Sequence, residues 1–255
     1  MYRSLNIVAS GMRAQTELID VLANNIANVN TPAYRRADIA FEDVGYEHRR
    51  VGSGADSRTM DFGMGVRIRD IVRDLGQGEL KQTGRALDVA IEGNGYLPVV
   101  LSDGSEAYTR AGNLRIDADG NLVTAHGYEL SARIRVPDDA IELTIAEDGT
   151  VSALRPGDEL PEAIGQLDLA LFPAADRLEP LGQNLFRATA ESGRAWYASP
   201  GTDGAGRVMQ GSLEGSNVDV VSEVVTMISA QRAYELNTRV MQAVDEMMRQ
   251  QAQMQ

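Results

Sequence analysis

The chain has no cysteine, one lysine, two histidines and one tryptophan among its 255 residues. Without cysteine there is no disulfide framework, no thiol nucleophile and no thiolate metal site. The single lysine, Lys81, precedes Gln82 rather than Ser or Thr, so a phosphate-cradling P-loop is excluded. His48 and His126 lie 78 positions apart with no local acidic or histidine partner pattern. A His-rich metal site is not expected, although one His with carboxylates stays open. No uncharged apolar run approaches the roughly 18–20 residues a membrane helix needs. The short apolar patch Leu5 to Met12 follows Arg3 and is broken by Asn6, Ser10 and Gly11, which reads as an amphipathic helix start rather than a cleavable secretion signal. Positive charge is scarce too. Lys and Arg number 24 against 37 Asp and Glu, a net −13, and nucleic-acid phosphates would be repelled.

What is present is unevenly placed. Residues 1–36 carry Arg3, Arg13, Arg35 and Arg36 against Glu17 and Asp20, a net +2. Residues 211–255 carry three arginines and six acids, a net −3, which leaves −12 for the middle. An acidic body therefore lies between two weakly charged ends.

Both ends have helical periodicity. Leu5, Val8, Met12, Gln15, Ile19, Leu22, Ile26 and Val29 follow alternating steps of three and four, a heptad seam with one polar member. Ala9, Gly11, Ala14, Ala23 and Ala27 lie beside it and permit close helix approach. The helix is predicted to stop near Asn28–Asn30, because Asn accepts the left-handed conformation and Pro32 pushes Thr31 out of the helical region. At the other end Val221, Val224, Ile228 and Gln231 repeat the spacing. The seam slips by a three-residue step to Tyr234 and resumes through Asn237, Met241, Val244 and Met248, which reads as a heptad pattern with one stammer. Ser216 or Asn217 is the expected N-cap, with Asp219 and Glu223 favourable at the positive helix start. Such stripes must be covered, since each seam residue fully removed from water contributes roughly 1.5–3 kcal/mol. Two arrangements satisfy this. The ends pair within one chain and nothing more, or the pair leaves faces open that drive assembly. Gln15, Asn24 and Asn25 favour the second, because buried amides specify register between helices.

Between the ends the period changes. Strand-like runs Asp88–Glu92, Tyr96–Leu101, Asn113–Asp117 and Leu143–Ala146 are each followed by Gly-, Asn- or Asp-containing turns. Turn signals about every ten residues predict an antiparallel β domain over 85–210. Asp117–Asn121 has its Gly in the wrong place for a calcium loop and is read as a hairpin turn. Residues 45–64 mix glycines with Glu47, His48, Arg49, Arg50, Asp56, Arg58 and Asp61. From composition alone this stretch is flexible in isolation: a passive linker, or a segment that orders only against a neighbour. The fold class is thus α+β, with coiled-coil-like N- and C-terminal helices packed together, an extended linker and a central antiparallel β domain. The predicted segments are 1–36 (helical), 37–84 (extended), 85–210 (β) and 211–255 (helical).

No Gly-x-Ser-x-Gly elbow and no Ser/His/Asp set can be assembled. The Gly-rich stretch Gly201–Gly206 follows Ser199-Pro200 rather than a clear strand, and is a weak dinucleotide signal. No catalytic, metal or cofactor site is expected, and an enzyme has no positive support.

Particular strings carry more information. Ser10-Gly11-Met12-Arg13-Ala14-Gln15 and Asn24-Asn25-Ile26-Ala27-Asn28-Val29-Asn30-Thr31-Pro32-Ala33-Tyr34-Arg35-Arg36 resemble the N-terminal signature of the bacterial flagellar rod and hook family. Asp88–Tyr96, reading Asp-Val-Ala-Ile-Glu-Gly-Asn-Gly-Tyr, and Tyr108–Asn113 resemble its central motif. Leu213–Val221 and Gln231–Asn237 resemble its C-terminal signature. The chain length, Phe41-Glu42-Asp43 and Gly63-Met64-Gly65-Val66 are most similar to the distal-rod branch, with the proximal-rod branch as the alternative. Where many distal-rod members have Gly-Phe-Lys, this chain has Ala33-Tyr34-Arg35.

The resemblance implies a structural subunit that self-assembles into a hollow helical homopolymer and transmits torque. It implies export through the flagellar export apparatus without a cleaved signal, a periplasmic basal-body location, and contacts with other axial proteins (proximal rod and hook) and with ring bushing proteins. No cofactor, nucleic acid or membrane span is implied. The assembly interface would be the two seams together with Asn25 and Asn28. The segment after the first helix would stiffen the rod, through Tyr46, His48, Arg49, Arg50, Arg58 and Asp61. A reading from another class is a secreted β-domain binding module with a helical oligomerisation stalk; a hydrolase is a residual third.

Overall fold

A computed structural model describes residues 2–51, 58–158 and 160–253. The chain divides into two compact units. One comprises Met1–Asn28, Arg36–Asp74 and Val218–Gln255; the other comprises Val29–Arg35 and Leu75–Asn217.

The first unit contains helix α1 (Tyr2–Ala27), strands β1 (Ala37–Asp43), β2 (Tyr46–Val51), β3 (Arg58–Gly63) and β4 (Val66–Arg73), and helix α2 (Val220–Gln253). The two helices pack on each other, as the sequence predicts. Helix α1 stops where expected: the Asn28 N–H bonds the carbonyls of Asn24 and Asn25, and the helix ends at Ala27. The start of α2 differs from expectation. Asp219 is its cap, accepting from the Val221 N–H at 3.1 Å and from the Ser222 hydroxyl at 2.6 Å. These bonds, the Ser222 one first, hold the Asp219 carboxyl below its usual range. The expected cap Asn217 is engaged elsewhere, donating to the Gly76 carbonyl at 3.0 Å.

Among the described residues, 37–51 and 58–73 pair as one long antiparallel ribbon. Strand β1 pairs with β4 from Ala37↔Arg73 to Asp43↔Val66, with a bulge at Ala40/Phe41. Strand β2 pairs with β3 from Tyr46↔Gly63 to Val51↔Arg58. The composition of 45–64 suggests flexibility, yet the described part is a regular ladder. Cross-strand pairing satisfies the backbone groups that glycine-rich composition leaves uncommitted. Of the residues expected in this segment, Gly52, Ser53, Gly54, Asp56 and Ser57 lie outside the described residues.

The second unit is built of antiparallel β strands, with one 3-10 turn at Ala175–Arg177. Its strands are β5 (Leu80–Gln82), β6 (Val89–Glu92), β7 (Leu97–Val100), β8 (Glu106–Thr109), β9 (Arg115–Ile116), β10 (Leu122–Val123), β11 (Glu129–Leu130), β12 (Glu142–Ile145), β13 (Thr150–Leu154) and β14 (Glu162–Gln166). They continue with β15 (Leu169–Leu171), β16 (Glu179–Gly182), β17 (Leu185–Arg187), β18 (Trp196–Ala198), β19 (Arg207–Gln210) and β20 (Ser212–Glu214). A seven-stranded sheet runs β16-β17-β8-β7-β11-β10-β9 and a three-stranded one β12-β13-β14; β15-β18, β19-β6 and β20-β5 form pairs. The core is aliphatic, around Val89, Ile91, Leu97, Val99, Leu122 and Leu169. A second cluster stacks Tyr96 and Tyr108 edge-to-face on Phe172. Asp117 accepts from the N–H groups of Asp119 and Asn121, so the loop joining β9 to β10 is a hairpin turn.

Candidate functional site

Helix α2 has two apolar faces. Glu223, Ala230, Asn237 and Val244 recur every seven residues, and Glu223, Ala230 and Val244 are buried. Met241 and Met248 are half-buried on the same side. The second half of the predicted seam therefore lies on the covered face. The first half does not. Val221, Val224, Ile228, Gln231 and Tyr234 are exposed, Val221 by 72%. Val221 and Ala230 are nine residues apart, about two and a half turns, and so face opposite sides of the helix. The three-residue slip is thus not a stammer in one seam; it marks where the apolar pattern passes from the outward face to the covered one. Val225, Leu236, Val240 and Met247, all exposed, continue the outward face.

Helix α1 is covered unevenly. Ala14, Leu22 and Asn25 are buried, whereas Leu5, Val8, Met12, Gln15, Ile19 and Ile26 are half-buried. Asn28 is half-buried at the helix end, and Val29, also half-buried, belongs to the second unit. The helices approach closely at Gly11, where an added Cβ would lie 3.2 Å from Asn237 Nδ2. Gln15 Oε1 is buried with no hydrogen-bond partner among the described residues.

Asn25 does more than an apolar seam residue could. Its amide exchanges two hydrogen bonds with the Ala37 backbone, at 2.9 and 3.0 Å, and donates to Glu223 at 3.0 Å. Glu223 also accepts from Arg36 at 3.3 Å. One buried amide thus fixes the register of α1, β1 and α2 together. In the arm, Tyr46, His48, Arg49 and Arg50 lie on β2, and Arg58 and Asp61 on β3. His48 pairs with Asp61 across the strands.

The second unit holds a buried ionic cluster that the residue-by-residue reading misses. Glu214 on β20 is 2% exposed. It accepts from Arg35 at 2.6 Å, from Arg110 at 2.9 Å and from the Gly78 N–H at 2.9 Å. Arg110 spends its other donors on the carbonyls of Ile91, Gly93 and Gly95. Burial pushes the Arg110 guanidinium below its ordinary range, and Glu214 opposes that shift. Four of the six signature strings noted above meet at this point: Arg35 from Asn24–Arg36, Ile91–Gly95 from Asp88–Tyr96, Arg110 from Tyr108–Asn113 and Glu214 from Leu213–Val221. The available signal was Arg110, the lone charged residue of Tyr108–Asn113, which needs a buried acid as partner. A cleft of about 460 Å³ opens beside it, lined by Arg35, Tyr96, Arg110 and Trp196. Both of its guanidiniums are already engaged by Glu214.

The Val29–Arg35 loop carries a strained residue. Ala33 is 2% exposed with φ at +56°, and its N–H bonds the Glu214 carbonyl at 2.8 Å. A left-handed Ala costs about 1–2 kcal/mol, partly offset by the greater freedom of Gly in the unfolded chain. Ala33→Gly is therefore expected to raise stability, by about 0.5–1 kcal/mol, read as a higher urea midpoint; a lower midpoint would contradict the strain.

Helix α2 thus has one face packed and the opposite face apolar and open, in one unit with the β arm. Comparison with known proteins gives the class. Residues 5–35 match the family profile described as "Flagella basal body rod protein", 90–153 the "Flagellar hook protein FlgE/F/G D1 domain", and 209–254 the "Flagellar basal body rod FlgEFG protein C-terminal". The chain is 41% identical over 256 residues to the flagellar basal-body rod protein FlgG of Borreliella burgdorferi, covering 97% of each chain. It is 40% identical over 253 residues to FlgG of Caulobacter vibrioides, covering 96% of this chain and 97% of that one. It is 36% identical over 231 residues to FlgF of Escherichia coli, covering 89% and 87%. The chain belongs to the family of flagellar basal-body rod proteins, structural subunits of the rod.

Proposed function

We propose that this chain is a distal rod subunit, without enzymatic activity, that polymerises with copies of itself into a hollow helical tube and carries torque to the hook. The outward face of α2, from Val221 to Met247, is the observation that carries this reading. An apolar stripe of that length in water is unfavourable unless a partner covers it. A second copy is the occupant: the half-covered seam of its α1, from Leu5 to Ile26, has the complementary apolar character. Gln15 Oε1 then finds its partner across the interface, since a buried unsatisfied acceptor otherwise costs about 1–3 kcal/mol. Full-length relatives named FlgG support the distal-rod reading over the proximal one, for which the FlgF match is shorter and weaker. In this role the chain is exported without signal cleavage, resides in the periplasmic part of the basal body, adjoins proximal rod and hook proteins, and turns inside ring bushing proteins.

The arm of β1 to β4 is the stiffening element of the same reading, through Tyr46, His48, Arg49, Arg50, Arg58 and Asp61. One electron-microscopy experiment tests both parts. Full-length protein is expected to form straight tubes, a variant lacking 46–62 flexible ones, and a variant lacking 1–36 and 211–255 none. Tubes from the last variant would refute the helical interface, and straight tubes from the arm deletion would return the arm to a passive role.

A further inference from the structure

The arm contains a break that the strand ladders do not explain. Between the β1–β4 ribbon and the β2–β3 ribbon lie Val44-Gly45 on one strand and Met64-Gly65 on the other. Both glycines have φ in a range that side chains rarely adopt, +116° and +112°. The Val44 N–H to Gly65 carbonyl and the Met64 N–H to Gly45 carbonyl bonds cross the break, at 3.0 and 2.9 Å. Two facing glycines freed from the β conformation are the local chemistry of a bend.

The first turns of α1 grip the arm on both sides of this break. Ser10 Oγ accepts from the Val66 N–H at 3.2 Å while donating to the Ile7 carbonyl. Gly65 lies so close that an added Cβ would overlap Ser10 Oγ. Beyond the break, Arg3 donates to the Phe62 carbonyl at 2.8 Å and to Gly63 at 3.4 Å. It pairs with Glu47 at 2.8 Å and sits over the Phe62 ring, 5.0 Å from its centre. A cation in the first turn opposes the helix dipole, and that turn of α1 has no acid of its own. Glu47 supplies the missing anion from the arm. The helix start and the far arm therefore each provide what the other lacks.

We propose that Gly45 and Gly65 form a two-strand hinge and that Arg3 is the positioning residue that locks it, so that the far arm is rigid only when the first turn of α1 is formed. This deepens the assignment of the arm as the stiffening element, because it makes stiffness conditional on the helical end. The absence of cysteine allows a clean test with paired spin labels and double electron–electron resonance on the unpolymerised chain. With Thr59→Cys and Gln242→Cys, the labelled chain is expected to give one narrow distance peak. Adding Arg3→Ala should abolish that single peak, and Glu47→Gln should broaden it less, since the carbonyl bonds survive. With Asp43→Cys in place of Thr59→Cys, the peak should stay narrow in Arg3→Ala, because the motion starts beyond residue 43. Equal peak width for Thr59 with and without Arg3, or equal broadening at both positions, overturns the lock. If Arg3→Ala also lowers helix content by circular dichroism, Glu47→Gln and Phe62→Leu decide, as neither substitution lies in α1; an unchanged peak in both overturns it. Tube formation is scored separately, so a failed lock leaves the assembly reading standing.

Discussion

Glu214→Ala is expected to destabilise the β unit by about 3–5 kcal/mol, the usual cost of removing one partner from a buried ion cluster. The carboxylate has no exposed surface to share with water, and its loss strands two guanidiniums that are themselves 3% and 6% exposed. It also leaves the buried Gly78 N–H without its acceptor. Such a loss is a large part of the 5–15 kcal/mol that a domain commonly has. Glu214→Gln should cost less, since the amide oxygen can still accept from Arg110. The measurement is convenient because the only tryptophan, Trp196, lies in this unit and reports its unfolding by fluorescence in urea. A midpoint unchanged in Glu214→Ala would mean that the cluster is dispensable and that these four of the six signature strings meet there for another reason.

The double variant Val225→Asp, Ile228→Asp is expected to abolish assembly and motility while leaving the isolated fold intact. Both side chains are exposed in the single chain, by 60% and 45%, so charge there costs the monomer little. In a packed interface each aspartate would be buried without a partner, at a penalty of several kcal/mol per ion, and every subunit of a polymer would carry it. Ala230→Asp provides the contrast. Ala230 is 3% exposed on the face toward α1, so the charge should unpair the helices in the monomer itself. Ile26→Asp, at a half-buried position, should fall between the two. Circular dichroism separates the cases, and sedimentation or microscopy scores assembly. Normal tubes from the double variant would remove the outward face from the interface.

Much of the fold is legible in local chemistry. The 3,4 spacing marks α1, and the Asn28–Pro32 stretch ends it, because backbone preference there needs no tertiary help. The turns at Gly93–Gly95, Gly104, Gly120 and Gly149 are equally local, since positive φ falls on glycine in each. The arm is less legible. Its glycines and charges read as flexible, and only the pairing of residues up to 36 positions apart, as in Ala37↔Arg73, makes it a ladder. The N-cap of α2 is missed for a related reason: the side chain of Val218 is buried, which keeps the chain extended past Ser216 and Asn217 and moves the helix start to Asp219.

The sequence by itself determined that the ends are helical, that the middle is β, and that apolar stripes run along both helices. Hydropathy and spacing are properties of the chain alone, and they suffice for those statements. Which stripe is covered was decided only in three dimensions. On α2 the covered face is the one bearing Glu223, Ala230 and Asn237, poorer in large apolar side chains than the face left open. Small residues such as Ala230 on α2 and Gly11 on α1, the latter facing Asn237, permit close backbone approach, and the Asn25–Glu223–Arg36 bonds fix the register. The larger valines and the isoleucine were left for a partner. The signature strings, likewise, are separate in the chain, and only folding brings Arg35 and Arg110 within hydrogen-bonding distance of Glu214, because charge pairing out of water depends on geometry that no linear spacing records.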